Sequence, residues 1–182
     1  MTLLMDKPAS KDINRPIKHT LTLKVRHAFN TLARIVGMFS GRGYSIDTIT
    51  VGNAEDPENA RITITSEGDR KIIEQIVYQL EKLIDVIEVK DLTFESFVER
   101  ELALIKVEAG VEDRANITQV ANIFGGKIVD ISDESLTIEV TGGPDKVNAS
   151  ISMFRPFGLV EVARTGCVAM KREFNSGVKI RI

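Results

Sequence analysis

His19-Thr20-Leu21-Thr22-Leu23-Lys24-Val25-Arg26 alternates without a break. His19, Leu21, Leu23 and Val25 fall on one side of an extended chain, and Thr20, Thr22, Lys24 and Arg26 on the other. This is the period-2 pattern of a strand with one face buried. The alternation stops at residues 27–30. Asn30 is placed to cap a helix beginning at Thr31, its side-chain oxygen taking an orphan N–H of the first turn. Leu32, Ile35, Val36 and Phe39 then recur at helical spacing, and Gly41-Arg42-Gly43 stops the run. A strand over about 44–52 and a polar loop over 53–59, with Pro57 inside it, follow. Ala60, Ile62 and Ile64 mark one face of the next strand. After Asp69, Ile72, Ile73, Ile76, Val77, Leu80 and Leu83 form the apolar stripe of an amphipathic helix, and residues 86–92 close the unit as a strand. Right-handed crossovers place both helices on one face of a four-stranded antiparallel sheet.

The same order recurs over residues 101–170 after a short charged connector. Leu102 to Val107 reads as a central strand, with apolar residues on both faces. Asn116 can cap a helix carrying Ile117, Val120, Ala121 and Phe124, which Gly125-Gly126 ends. Two strands flank a hairpin turn at Asp133-Glu134-Ser135, and Gly143-Pro144 opens a second helix with proline near its first position. That helix buries Val147, Ile151 and Phe154, and Leu159–Thr165 reads as the last strand. The repeat is one of pattern, with little residue identity. The organisation expected is a flexible arm at 1–16, a domain at 17–93, a linker at 94–100, a second domain at 101–172 and a tail at 173–182. The fold class is α+β.

Two domains of this size gain from a partner surface, because little of so short a chain can be buried. Hydrophobic residues make up 43% of the chain and its formal net charge is −2, which fits packed cores and lacks the basic surplus of a nucleic-acid binder. Cys167 is the single cysteine, so no intrachain disulfide can form, and a reducing, cytoplasmic setting is expected. No apolar run approaches the roughly 20 residues that span a bilayer. The first 16 residues, mixed in charge and holding Pro8 and Pro16, do not read as a secretory signal. Two histidines and one cysteine spread along the chain do not make a zinc site, and no general acid–base or nucleophile constellation is present.

Four segments together resemble the small, regulatory subunit of acetolactate synthase. They are Gly37-Met38-Phe39-Ser40-Gly41-Arg42-Gly43-Tyr44, the run from Val98 to Val107, the run from Gly126 to Ser132, and the run from Glu161 to Met170. The likeness covers about residues 18–172 in order. It implies two ferredoxin-like βαββαβ sandwiches in tandem, the first a ligand-sensing ACT domain. It also implies a homodimer and a separate catalytic (large) subunit that carries thiamine diphosphate, magnesium and FAD, with no cofactor in this chain. Valine, or a related branched-chain amino acid, is then expected to bind the ACT domains across the dimer interface and inhibit the assembled enzyme.

The positions matching the effector site are His27, Asn30, Thr31, Leu32, Ser45 and Ile46. Three of them depart from the family pattern, which usually has asparagine at 27, glycine at 30 and asparagine at 45. Gly125, where an arginine is common, also departs. On the residues alone Asn30 is most simply a helix cap; the resemblance shifts weight toward an effector loop. The same positions suit a free amino acid, because a helix N-terminus favours a carboxylate. His19 is expected as a satisfied, partly buried side chain, and Glu99-Arg100-Glu101 as a solvated connector whose ion pairs are worth little. Cys167 reads as a small packed residue. A stand-alone amino-acid-sensing dimer acting on another target is the alternative function. An RNA-binding module is disfavoured, since the strands around Leu23 and Ile62 offer no aromatic for base stacking.

Overall fold

A computed structural model describes residues 17–26, 30–41 and 43–173. His27, Arg42, the arm at 1–16 and most of the tail lie outside the described residues. The opening alternation forms β1 (Ile17–Arg26), followed by α1 (Thr31–Ser40), β2 (Thr48–Asn53), β3 (Asn59–Gly68), α2 (Arg70–Leu80) and β4 (Val86–Asp91). These strands make an antiparallel sheet in the order β2-β3-β1-β4. The second unit comprises β5 (Phe97–Glu108), α3 (Arg114–Ile123), β6 (Lys127–Ile131), β7 (Ser135–Gly142), α4 (Pro144–Phe154) and β8 (Leu159–Arg164), and β9 (Val168–Lys171) follows it. Its sheet runs β6-β7-β5-β8, the same order as the first. The two units repeat even their irregularities. The β1–β4 register shifts between Lys24 and Val25, and the β5–β8 register shifts between Lys106 and Val107.

Each sheet buries one face under its helices. Leu21, Leu23, Val25, Ile35, Phe39, Ile62, Ile64, Ile73, Ile76 and Leu80 fill the first core. Ala103, Ile105, Val107, Ile117, Ala121, Ile138, Val140, Val147 and Phe154 fill the second. Burial of this kind contributes roughly 1.5–3 kcal/mol for each large apolar side chain.

Helix ends correct several expectations. Asp69 caps α2 through its carboxylate, which accepts from the Ile72 N–H at 3.0 Å. Asn30 precedes α1 without a side-chain cap bond, because its backbone is left-handed at φ 72°, whereas a capping side chain folds back from an extended backbone. Asn116 does not start α3. That helix begins about one turn earlier, where the Arg114 guanidinium donates to the carbonyls of Ala109, Ser132 and Asp133 and ties the helix to the β6–β7 hairpin. β2 starts at Thr48 rather than near Tyr44, because the Tyr44 and Gly43 N–H groups close α1 on the Phe39 and Ser40 carbonyls. Gly43 takes φ 70° to make that end.

The stretch expected as a linker is in part a strand. β5 begins at Phe97, and its first residues pair with β9, from Phe97 opposite Lys171 to Arg100 opposite Val168. Leu159–Arg164 is therefore not the last strand. The β5–β9 ribbon lies over the helix-free face of the first sheet, where β9 contacts β1. Thr20, Thr22, Thr63 and Thr65 on that face are all buried. The Thr50 hydroxyl donates to the Thr165 carbonyl at 3.3 Å. A Cβ at Gly166 would stand 2.9 Å from the Thr50 hydroxyl oxygen, and φ there is 78°, so this close crossing needs glycine.

Candidate functional site

The expected effector positions fall into two groups at opposite ends of α1. Asn30, Thr31 and Leu32 form its N-terminal end. The Asn30 carbonyl accepts the Arg34 N–H at 3.0 Å, Thr31 is buried and Leu32 is 43% exposed. No acidic residue occupies the first turn and no side chain caps it, which leaves the end of the helix favourable to a carboxylate. Arg34 reaches from here to Asp85 at 2.9 Å, and the Arg26 N–H bonds the Asp85 carbonyl, so the β1–α1 junction is anchored to the turn before β4. Asn30 is the one non-glycine with positive φ among the described residues. Asparagine visits this region more readily than other side chains, so the backbone that glycine would allow is adopted with asparagine in place.

Ser45 and Ile46 lie beyond the other end of the helix. The Ser45 carbonyl accepts from the Ser66 hydroxyl at 2.6 Å, and Ile46 packs against the first core. Eight helical residues, Ala33 to Ser40, lie between the groups, about 12 Å at 1.5 Å per residue. Within one chain no single amino acid touches both.

The end of each sandwich where the first strand begins carries a buried polar pair. Counting back from the matching register shifts, His19 in β1 is equivalent to Glu101 in β5, and Asp91 is equivalent to Arg164. His19 is fully buried. Its Nδ1 is 3.0 Å from the Thr93 hydroxyl, which itself donates to Asp91. That arrangement assigns the ring proton to Nδ1 and leaves the buried Nε2 without a partner. His19 is thus fully rather than partly buried, and satisfied at one nitrogen only.

Glu101 is 4% exposed and grips Arg164 with both oxygens, from Nε at 2.5 Å and from Nη2 at 2.8 Å. Arg164 Nη1 donates to Asn148 at 3.0 Å. These bonds to Glu101 are the chief reason that the guanidinium is held in its charged form more firmly than usual. Glu101 is therefore no solvated connector. The signal was present in the sequence, because Glu101 lies two residues before Ala103 on the face that carries Ile105 and Val107.

Cys167 is buried. Burial first, and the nearby Glu99 carboxylate 3.5 Å away second, push its thiol up to about 11. A thiol of this kind reacts slowly, since the thiolate is the nucleophile. Labelling of the folded chain with a maleimide at neutral pH is expected to be slow, to quicken as pH rises toward 11, and to be faster in Glu99→Gln. Rapid labelling at neutral pH would contradict the burial.

Among the described residues, no helix is long and apolar enough to cross a membrane, and no three His, Cys, Asp or Glu side chains gather as a metal site.

Two α+β sandwiches of identical strand order, joined by a strand ribbon, define a tandem ferredoxin-like protein whose first unit is of the ACT type. The model of the "AHAS small subunit-like ACT domain" matches residues 21–88, and that of the "Small subunit of acetolactate synthase" matches residues 100–173. The probable acetolactate synthase small subunit of Archaeoglobus fulgidus is 49% identical over 156 residues, covering 86% of this chain and 98% of that protein. The acetolactate synthase small subunit of Aquifex aeolicus is 46% identical over 172 residues, covering 93% and 90%. The crystal structure of the acetolactate synthase small subunit from Thermotoga maritima superposes with a TM-score of 0.80 at 40% identity, covering 87% and 99%. The chain belongs to the family of acetolactate synthase small subunits.

Proposed function

We propose that the chain is a non-catalytic regulatory subunit that activates an acetolactate synthase catalytic subunit and confers feedback control by valine or a related branched-chain amino acid. Membership of the small-subunit family along nearly the whole described length carries this reading. The thiamine diphosphate, magnesium and FAD of the reaction then reside in the catalytic partner.

The split effector site supports a homodimer as the working unit. β2 is an edge strand of its sheet, and Val51 on it is 45% exposed. Unpaired strand edges favour such association. The right-handed β1–α1–β2 crossover places α1 above the β2 side of the sheet. A two-fold axis perpendicular to the sheet that pairs two β2 edges sets two α1 helices side by side and antiparallel. Asn30, Thr31 and Leu32 of one protomer would then face Ser45 and Ile46 of its partner. His27, beside the same helix end in sequence, belongs to the proposed site by resemblance alone. Sedimentation at micromolar concentration is expected to show a dimer; a monomer would remove the basis for a shared site.

Valine binding is expected to be several-fold weaker than in the double variant Asn30→Gly/Ser45→Asn. Ser45 offers a hydroxyl where an amide would reach further, and one lost hydrogen bond costs about 0.5–1.5 kcal/mol. The Asn30 side chain also crowds an end that glycine would leave open, although it does not deny the backbone its left-handed turn. Titration calorimetry decides: equal affinity in the native chain and the double variant would exclude these residues from the site.

A further inference from the structure

The two domains meet in an open cleft of about 630 Å³. The first domain contributes Lys18, Asp47 and Ile49 to it, and the second contributes Asn148, Arg164 and Thr165. Its size falls within the range of small-molecule sites, which combine apolar walls with a few convergent polar groups. It stands apart from the N-terminal end of α1.

The charges in the cleft do not all cancel. Glu101 and Arg164 neutralise one another through their paired hydrogen bonds. A guanidinium has five N–H donors. Three are committed, two to Glu101 and one to Asn148, which leaves two for an acceptor outside the protein. Lys18 and Asp47 are exposed, and neither forms an ion pair with another described residue. The cleft therefore presents one free ammonium, one free carboxylate and a guanidinium with spare donors.

Part of its wall is held in place. Arg164 is clamped at three atoms, the Asp47 N–H is bonded to the Thr65 carbonyl at 2.8 Å, and Gly166 is pressed against Thr48 and Thr50. Of the groups that would meet a ligand, Arg164 has its side chain held in this way and binds without first being ordered.

We propose that this junction is a binding site for a free α-amino acid, held by its head group: the carboxylate on Lys18 and the outer N–H groups of Arg164, the ammonium on Asp47. A ligand carrying both charges satisfies both unpaired groups, which neither a simple carboxylate nor a simple amine does. Pro144 supplies apolar wall for a small side chain. The site is separate from the N-terminal end of α1, and its Asp47 follows directly on Ser45 and Ile46 at the other end.

Glycine tests the proposal, because it is a head group with no side chain to seek another pocket. In heteronuclear NMR of the full chain, millimolar glycine is expected to produce saturable shifts at the amides of Thr48, Asn148, Thr165 and Gly166. Lys18→Gln and Asp47→Asn, both at exposed positions, are each expected to weaken that titration several-fold. Acetate and methylammonium are expected to bind at least about tenfold more weakly than glycine, a gap of 1.4 kcal/mol. Absence of saturable shifts at the cleft overturns the proposal. So does acetate equalling glycine, or a titration unchanged in both variants. Shifts confined to Asn30–Leu32 would overturn it while leaving the effector site at α1 intact.

Discussion

Arg164→Ala is expected to destabilise the folded chain by about 3 kcal/mol, because it strands a carboxylate that has very little access to water. Glu101 is only 4% exposed and depends on Arg164 for both of its oxygens. Asn148 loses a donor in the same step. The figure lies at the lower end of the range for broken buried pairs, since Arg164 itself is 38% exposed and some water reaches the site. Replacing both members by leucine is expected to recover most of the loss, because it removes the stranded charge as well as its partner. Equilibrium urea unfolding measures both variants. A loss below about 1 kcal/mol for Arg164→Ala would mean that the pair behaves as a surface ion pair.

Leu23→Ala and Ile105→Ala form the second test. The two side chains occupy equivalent places in the two units, two residues before the matching register shifts, and both are fully buried. Each truncation removes most of a core side chain and leaves a cavity, at a cost of about 2–5 kcal/mol. The losses are expected to be local, because the cores are distinct clusters. Native-state hydrogen exchange should show Leu23→Ala lowering protection in β1, β3 and α2, and Ile105→Ala lowering it in β5, β7 and α4. Equal loss everywhere from either variant would instead mean that the units unfold as one.

The architecture was legible because strong local periodicity coincided with tertiary burial. Leu21, Leu23 and Val25 alternate in the sequence and are buried in the sheet; Ile73, Ile76 and Leu80 do the same at helical spacing. What escaped was set by contacts distant in sequence. Val168–Lys171 is a four-residue strand whose partner lies some seventy residues earlier, and nothing local marks either segment as paired. Glu101 shares a strand face with Ala103, Ile105 and Val107, but its partner Arg164 is sixty-three residues away and is brought against it only by β8. Asn30 has the composition of a cap, but its backbone is left-handed, at φ 72°, and its side chain makes no bond to the helix N–H groups. Of the effector positions, the helix N-terminus could be read from local pattern. Ser45 and Ile46 entered by resemblance alone, because no local periodicity ties them to Asn30.

The regulatory reading stands or falls on acetolactate formation from pyruvate by the cognate catalytic subunit, assayed alone, with this chain, and with this chain plus valine, leucine or isoleucine. The prediction is that the chain alone forms no acetolactate, that it raises the turnover of the catalytic subunit, and that one of the three amino acids reverses the gain in the mixture but not in the catalytic subunit alone. Turnover by the purified chain, or a catalytic subunit indifferent to its presence, would contradict the account.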